Sequence, residues 1–211
     1  SAVAAPKYFD NQTLSSIYTP YHFPNNSNQF KARNVVIFVM ESMSAENSAY
    51  LCPDLYTDSE QKGYTPFLDS LMQSGYTFKR MYANGKRSIQ ALPSVWGSIP
   101  SLVEPFVLMP QSLGDSRPLP TLLREKGYST AFFCGSERGS MGFDAYAISA
   151  GFEKCISKED YEKAHGNDDF DGYWGIWDDK FLSFMGEQID TLQEPFLASI
   201  FTISSHHPFV L

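Results

Sequence analysis

The feature that most constrains this chain is the run Asn34-Val35-Val36-Ile37-Phe38-Val39-Met40, apolar in six of its seven residues and ending on Glu41. A continuous apolar run of this length, rich in β-branched side chains, reads as a strand buried on both faces, as in a parallel sheet. Such a strand needs helices over each face, and it hands its next residue to the carboxyl end of the sheet, where α/β proteins bind ligands.

The rest of the chain follows the same alternation. Thr65 to Gly75 has Pro66 at a helix start, apolar residues at 67, 68, 71 and 72, and a glycine stop. Tyr76 to Tyr82 alternates as a strand does, and Ser88 to about Ser98 reads as a helix that Pro93 bends or starts late. Pro118 to Lys126 is again a proline-led helix, closed by Gly127 before a strand from Tyr128 to Cys134. A helix over Asp178–Leu192 and a strand over Phe196–Ile203 complete four strands alternating with helices. The pattern predicts an α/β fold with a largely parallel sheet covered on both faces, and active groups in loops beyond the strand ends at Glu41, Gly135 and His206.

At 211 residues and 43% hydrophobic content the chain suits one sizeable core. Residues 1–33 are rich in Tyr, Asn, Ser and Pro without a structural period and read as an extended arm leading into a domain at 34–211. The net charge of -8 argues against a nucleic-acid partner. No apolar stretch approaches the roughly 20 residues of a membrane span, and no signal pattern opens the chain, so this segment is expected to be soluble. Three cysteines without a C-x-x-C spacing indicate neither a disulfide framework nor a zinc site.

Glu41 follows a buried strand, and a carboxylate in that position needs a partner, for which a divalent cation or a helix cap would each serve. Ser88 follows Gly85, Lys86 and Arg87 at a helix start. Capping alone would explain its hydroxyl, but close backbone approach and two cations also suit a nucleophile whose phosphoryl adduct requires positive surroundings. A cation on Glu41 would lower the pKa of that hydroxyl. His206 and His207 leave the last strand before Pro208, placing an imidazole where it can hydrogen-bond a phosphate or protonate a leaving group. The stretch from Asn167 to Asp178 superficially fits a calcium loop, but its first and twelfth positions and its bulky second half favour an acidic turn or cap. Tyr173, Trp174 and Trp177 are expected in the core.

In their order along the chain, Asn34–Ser42, Tyr64–Asp69, Gly85–Ser88, Phe132–Gly135, Trp174–Asp178 and Ser205–Phe209 resemble the lipoteichoic acid synthase-like branch of the sulfatase family, within the alkaline phosphatase superfamily. The resemblance covers residues 34–211. It implies a three-layer sandwich of the alkaline phosphatase kind, with Glu41 and Ser88 on a manganese or magnesium ion, Ser88 as nucleophile, and His206 on the substrate phosphate with Lys86 and Arg87 beside it. It also implies transfer of phosphoglycerol or phosphoethanolamine from a membrane phospholipid to an envelope glycan or lipid acceptor through a covalent phospho-enzyme. The expected place is outside a bacterial cytoplasmic membrane, behind an N-terminal anchor that precedes this segment.

Members complete the metal site with an Asp-His pair beyond the final His-x-Pro segment, so the resemblance implies that the chain is C-terminally truncated and inactive as it stands. Met141 and Phe143 fall where lipoteichoic acid synthases place a Trp and an Arg on glycerol phosphate. No Cys or Ser followed by x-Pro-x-Arg occurs, which disfavours sulfate-ester hydrolysis. A phosphodiesterase or phosphatase on the same scaffold, or a non-catalytic envelope-binding domain, are the alternative readings.

Overall fold

The computed structural model describes residues 7–17, 19, 23, 29–57, 63–83, 85–101, 104–114 and 116–209. The chain divides into two compact units, Ser1–Ala32 and Arg33–Leu211. In the first, Asn11–Ile17 forms a short exposed helix, α1, which the extended reading of 1–33 does not anticipate. Asp10 starts it by accepting hydrogen bonds from the Thr13 N–H and hydroxyl, each at 2.8 Å.

The second unit is built on a four-stranded sheet ordered β1 (Val35–Val39), β4 (Phe196–Phe201), β2 (Ser129–Cys134), β3 (Lys154–Ile156), with every pairing parallel. The fold is α/β, as the alternation predicts. All six residues of β4 are buried, because it is flanked on both edges and packed on both faces. Odd-numbered β4 residues Leu197 and Phe201 join a cluster with α3 (Ala91–Gly97) and α5 (Phe143–Ser149), with Leu123 of α4 (Leu119–Arg124) packed against it. Phe196, Ala198 and Ile200 face the opposite cluster, built on α6 (Lys158–His165) and α7 (Asp178–Ile189). Helix, sheet and helix thus form three layers.

Three expectations about strands change, among them that β1 is buried on both faces. Tyr76–Tyr82 is in no ladder among the described residues, and Tyr76, Phe78, Met81 and Tyr82 are exposed. Its alternation is compatible with a strand, but a strand exists only where a partner backbone takes its N–H and C=O groups. Conversely β3, only three residues long and opened by a lysine, carries no apolar run, and pairing to Phe132 and its neighbours creates it. β1 is an edge strand. Val35, Ile37 and Val39 pack inward, while Val36 and Phe38, on the face shared with Ala198 and Ile200, are exposed.

The helices read from the sequence match their signals closely, whereas α5 and α6 are not among them. α2 spans Pro66–Ser74, and Ser88–Gln90 forms one tight turn that passes into α3 at Ala91, so Pro93 falls in the first turn of α3, where its missing N–H costs little. Trp96 anchors α3 to the sheet. Its indole N–H donates to Ser199 Oγ at 3.1 Å, both residues being buried, and its rings stack on Tyr146 at 5.8 Å and meet Phe132 and Phe152 edge-on. Aromatic pairs of this kind add about 0.5–1.5 kcal/mol each beyond burial.

Candidate functional site

Glu41 stands where β1 leaves the sheet. It is 7% exposed, its backbone N–H donates to Thr202 Oγ1 at 2.9 Å, and the Thr202 N–H donates to Val39 O at 3.1 Å. The carboxylate is therefore carried by the joined exits of β1 and β4. Ser42 turns the chain sharply at φ 52°, a left-handed conformation that a non-glycine residue rarely takes, and its hydroxyl donates to Glu41 Oε1 at 2.9 Å. Glu41 Oε2 is buried without a hydrogen-bond partner among the described residues. An unpartnered carboxylate oxygen beneath an open pocket is a donor awaiting a hard cation or a hydrogen-bonding group.

Asp69, the acidic residue of the Tyr64–Asp69 segment, shapes the chain that follows. From the first turn of α2 it accepts the Ser48 hydroxyl at 2.5 Å, the Ala49 N–H at 3.1 Å and the Thr65 hydroxyl at 3.2 Å. It is a structural latch between α2 and the 44–51 loop.

Ser88 opens the turn before α3 and is half-buried, so Trp96 fixes its place relative to β4. The preceding turn is held by Gln90, whose Oε1 accepts the backbone N–H groups of Lys86 at 3.0 Å and Arg87 at 3.1 Å. A Cβ on Gly85 would lie 2.3 Å from that same oxygen, so a side chain there would push the Gln90 amide off both N–H groups. Lys86 and Arg87 are exposed, and among the described residues neither is in an ion pair.

Glu41, Lys86, Arg87 and Ser88 line one open pocket of ≈ 440 Å³, with Val39 and Phe201 also in its lining. A carboxylate, a hydroxyl and two cations from segments far apart in sequence converge beyond the carboxyl ends of β1 and β4. His206 lies outside this group. It lines a separate pocket of ≈ 250 Å³ with Trp174, Trp177, Tyr173, Asp171 and Ser204.

The sequence places these three aromatic residues in the core, and the structure bears that out only for one side of Trp174, which packs against the Leu197 and Phe201 cluster. Tyr173 is exposed, Trp174 and Trp177 are half-buried, and all three line the pocket. The acidic stretch is an ordered turn. Asp171 Oδ1 accepts the backbone N–H groups of Tyr173, Trp174 and Gly175, Asp169 Oδ2 accepts the Tyr161 hydroxyl at 2.7 Å, and Asp178 accepts the N–H groups of Ile203 and Ser204, each at 2.9 Å. Protein donors occupy the carboxylates that a calcium loop would need, in keeping with the turn-and-cap reading. Burial raises the Asp178 carboxyl above its usual value, against the lowering effect of those two N–H groups.

Phe143 is 1% exposed and packs on Phe201 at 5.0 Å, so it faces the core rather than a ligand, while Met141 stays partly exposed at φ 53°. Burial pushes the thiols of Cys134 and Cys155 up to about 11 and about 12, which leaves both protonated and poor nucleophiles at neutral pH. Among the described residues no group of three or more His, Cys, Asp or Glu side chains is placed to hold a metal, while Glu41 and Ser88 line the same pocket. Thr202, which carries Glu41, escaped the sequence reading. It lies inside the expected strand Phe196–Ile203, and only the end of β4 at Phe201 makes it an exit residue as Glu41 is after β1.

Comparison with known proteins agrees with this architecture. The chain is 24% identical to the lipoteichoic acid synthase-like protein YvgJ of Bacillus subtilis over 98% of its own length and 33% of that protein's, and so spans about a third of this curated relative. Among solved structures it superposes on an alkaline phosphatase superfamily protein from Vibrio parahaemolyticus with a TM-score of 0.73 and 29% identity, covering 86% of this chain and 43% of that one. The lipoteichoic acid synthase LtaP of Listeria monocytogenes has the same fold, at a TM-score of 0.60 and 21% identity over 85% of this chain and 42% of its own. The family model for sulfatases matches residues 33–211, the whole of the unit whose sheet carries Glu41 and Thr202, and the chain belongs to the sulfatase family.

Proposed function

We propose that this chain is the part of a phosphotransferase that carries the nucleophile, moving phosphoglycerol or phosphoethanolamine from a membrane phospholipid to an envelope acceptor outside the cytoplasmic membrane. The observation that carries the reading is the convergence of Glu41, Ser88, Lys86 and Arg87 on one pocket. The names of relatives such as YvgJ and LtaP support the substrate class.

Ser88 Oγ would attack the phosphorus of the donor diester, forming the Ser88–O–P bond as the P–O bond to diacylglycerol breaks and the departing oxygen takes a proton. The acceptor hydroxyl then attacks the phosphoserine and frees Ser88. Lys86 and Arg87, unpaired with any carboxylate among the described residues, would neutralise charge on the non-bridging oxygens. His206, which lines a separate pocket, would orient the substrate or protonate the leaving oxygen.

A manganese or magnesium ion fits one observation here, the buried and unpartnered Glu41 Oε2, with Ser88 as the second oxygen donor. Such an ion supplies a lowered pKa to a neighbouring hydroxyl and countercharge to a phosphate. The remaining ligands would come from outside the described residues.

The test is incubation of the native protein with headgroup-labelled phosphatidylglycerol or phosphatidylethanolamine. Label should appear on Ser88 and then on an acceptor, and Ser88→Ala should abolish both with folding retained. Turnover at the wild-type rate by that variant sinks the assignment. Free labelled glycerol phosphate or phosphoethanolamine, without transfer, identifies a hydrolase instead. Glu41→Gln should abolish the rise in unfolding temperature that Mn²⁺ gives the wild type, and an equal rise in both would remove Glu41 from the metal site.

A further inference from the structure

Trp174 is held from three directions. Its indole N–H donates to Ser140 Oγ at 3.2 Å, on the loop after β2. Its backbone N–H is one of the three that Asp171 Oδ1 accepts, at 2.7, 2.7 and 3.1 Å, which closes the 171–175 turn on itself. The next residue, Gly175, bridges to Ser136 and lies so near the β2 exit that an added Cβ would stand 2.2 Å from Gly135 O. The turn is therefore seated against the sheet with no room to slide.

The indole so fixed meets the His206 ring at 4.3 Å between centroids and 64° between planes, and among the described residues it is the one aromatic ring touching that imidazole. His206 is otherwise exposed. Its Nδ1 lies 2.6 Å from the carbonyl oxygen of His207. A carbonyl oxygen only accepts, so Nδ1 carries the hydrogen and Nε2 is the nitrogen left for a ligand. A single backbone contact leaves the ring free to swing about χ1 and χ2. An edge-to-face partner removes that freedom.

We infer that Trp174 is a positioning residue for His206, with Ser140 as its anchor: the fixed indole sets the orientation of the imidazole and, with the His207 carbonyl, the nitrogen it offers. This rests on the reading of His206 as a phosphate contact. It also gives a purpose to the Trp174–Asp178 segment, whose other anchor, Asp178, holds the β4 exit at Ile203 and Ser204 on the other side of the same pocket.

The experiment is a glycerol 1-phosphate titration followed by long-range ¹H–¹⁵N correlation of the His206 side chain, in wild type, Trp174→Leu, Trp174→Phe and Ser140→Ala. Wild type should show the Nδ1–H tautomer. Trp174→Leu should show mixed tautomers and bind ~10-fold more weakly, while Trp174→Phe, which keeps a ring, stays within ~3-fold. Wild-type tautomer and affinity in Trp174→Leu overturn the inference, as does equal damage in the Leu and Phe variants at unchanged unfolding midpoint. Should Trp174→Leu fail to fold, Ser140→Ala decides: mixed tautomers support the anchor and a wild-type spectrum overturns it. His206→Ala with undiminished affinity would refute the phosphate role of His206, yet the tautomer pattern in Trp174→Leu would still report whether the indole orients the ring.

Discussion

The Thr202 hydroxyl accepts the backbone N–H of Glu41 at 2.9 Å, across 161 residues of sequence, so the carboxylate at the end of the first strand is held by the end of the last. Among the described residues β1 is an edge strand with β4 as its sole neighbour, and its exit needs this tie. Thr202→Val keeps the shape and removes the acceptor, leaving a buried N–H unsatisfied at a cost of about 1–3 kcal/mol, whereas Thr202→Ser should stay near wild type. Urea midpoints compare them, and equal midpoints for the Val and Ser variants would refute the role given to the hydroxyl.

Asp69 satisfies two hydroxyls and one backbone N–H from its buried place on α2. Asp69→Ala should cost about 2–4 kcal/mol, because hydrogen bonds to a carboxylate are the stronger kind and the Ser48 donor stays buried. Hydrogen exchange at the Ala49 N–H should speed up by more than at β4 amides. A uniform change across the sheet would mean that Asp69 supports the whole domain rather than the 44–51 loop.

The Tyr146 hydroxyl is buried with no hydrogen-bond partner among the described residues, and burial pushes its pKa up to about 12. Its ring is well used, stacked on Trp96 and edge-on to Phe106. Tyr146→Phe keeps those contacts and deletes the orphan polar atom, so it should stabilise by about 1 kcal/mol or be neutral. A loss of stability in thermal unfolding would reveal a partner for that oxygen.

Burial raises the Asp178 carboxyl above 3.8 in the folded protein, so the native state holds that proton more tightly than the unfolded chain does. The corresponding contribution to stability is complete below 3.8 and is lost as pH rises through the raised value. Asp178→Asn cannot titrate, and the wild-type minus variant difference in unfolding free energy should fall as pH rises across that window. A constant difference from pH 3.5 to pH 6.5 would be the contrary result.

Element type was legible wherever local chemistry decides it. Pro66 and Gly75 frame α2, Gly127 closes the turn after α4, and the apolar runs at 129–134 and 196–201 are strands buried on both faces, while the run at 35–39 is a strand whose second face, with Val36 and Phe38, stays exposed. Glu41, Lys86, Arg87 and Ser88 could be named from sequence because each adjoins such an element. Whether Tyr76–Tyr82 pairs, and that Lys154–Ile156 does, depends on which backbone lies alongside, which no local pattern encodes. The same holds for Trp174, whose aromatic chemistry suits a core and a pocket equally, and whose contact with His206 follows from the seating of Gly175 on Gly135.

By itself, the sequence determined the strands β1, β2 and β4, the helices α2, α3, α4 and α7 and the chemical character of their exits, because propensity, capping and apolar periodicity act within a few residues. The tertiary structure alone decided which exits meet: Glu41 with Thr202 and with the Ser88 turn, and His206 with Trp174 instead of with Ser88. Strand order and helix seating set those meetings, and they are settled by packing between segments whose separation along the chain carries no local signal.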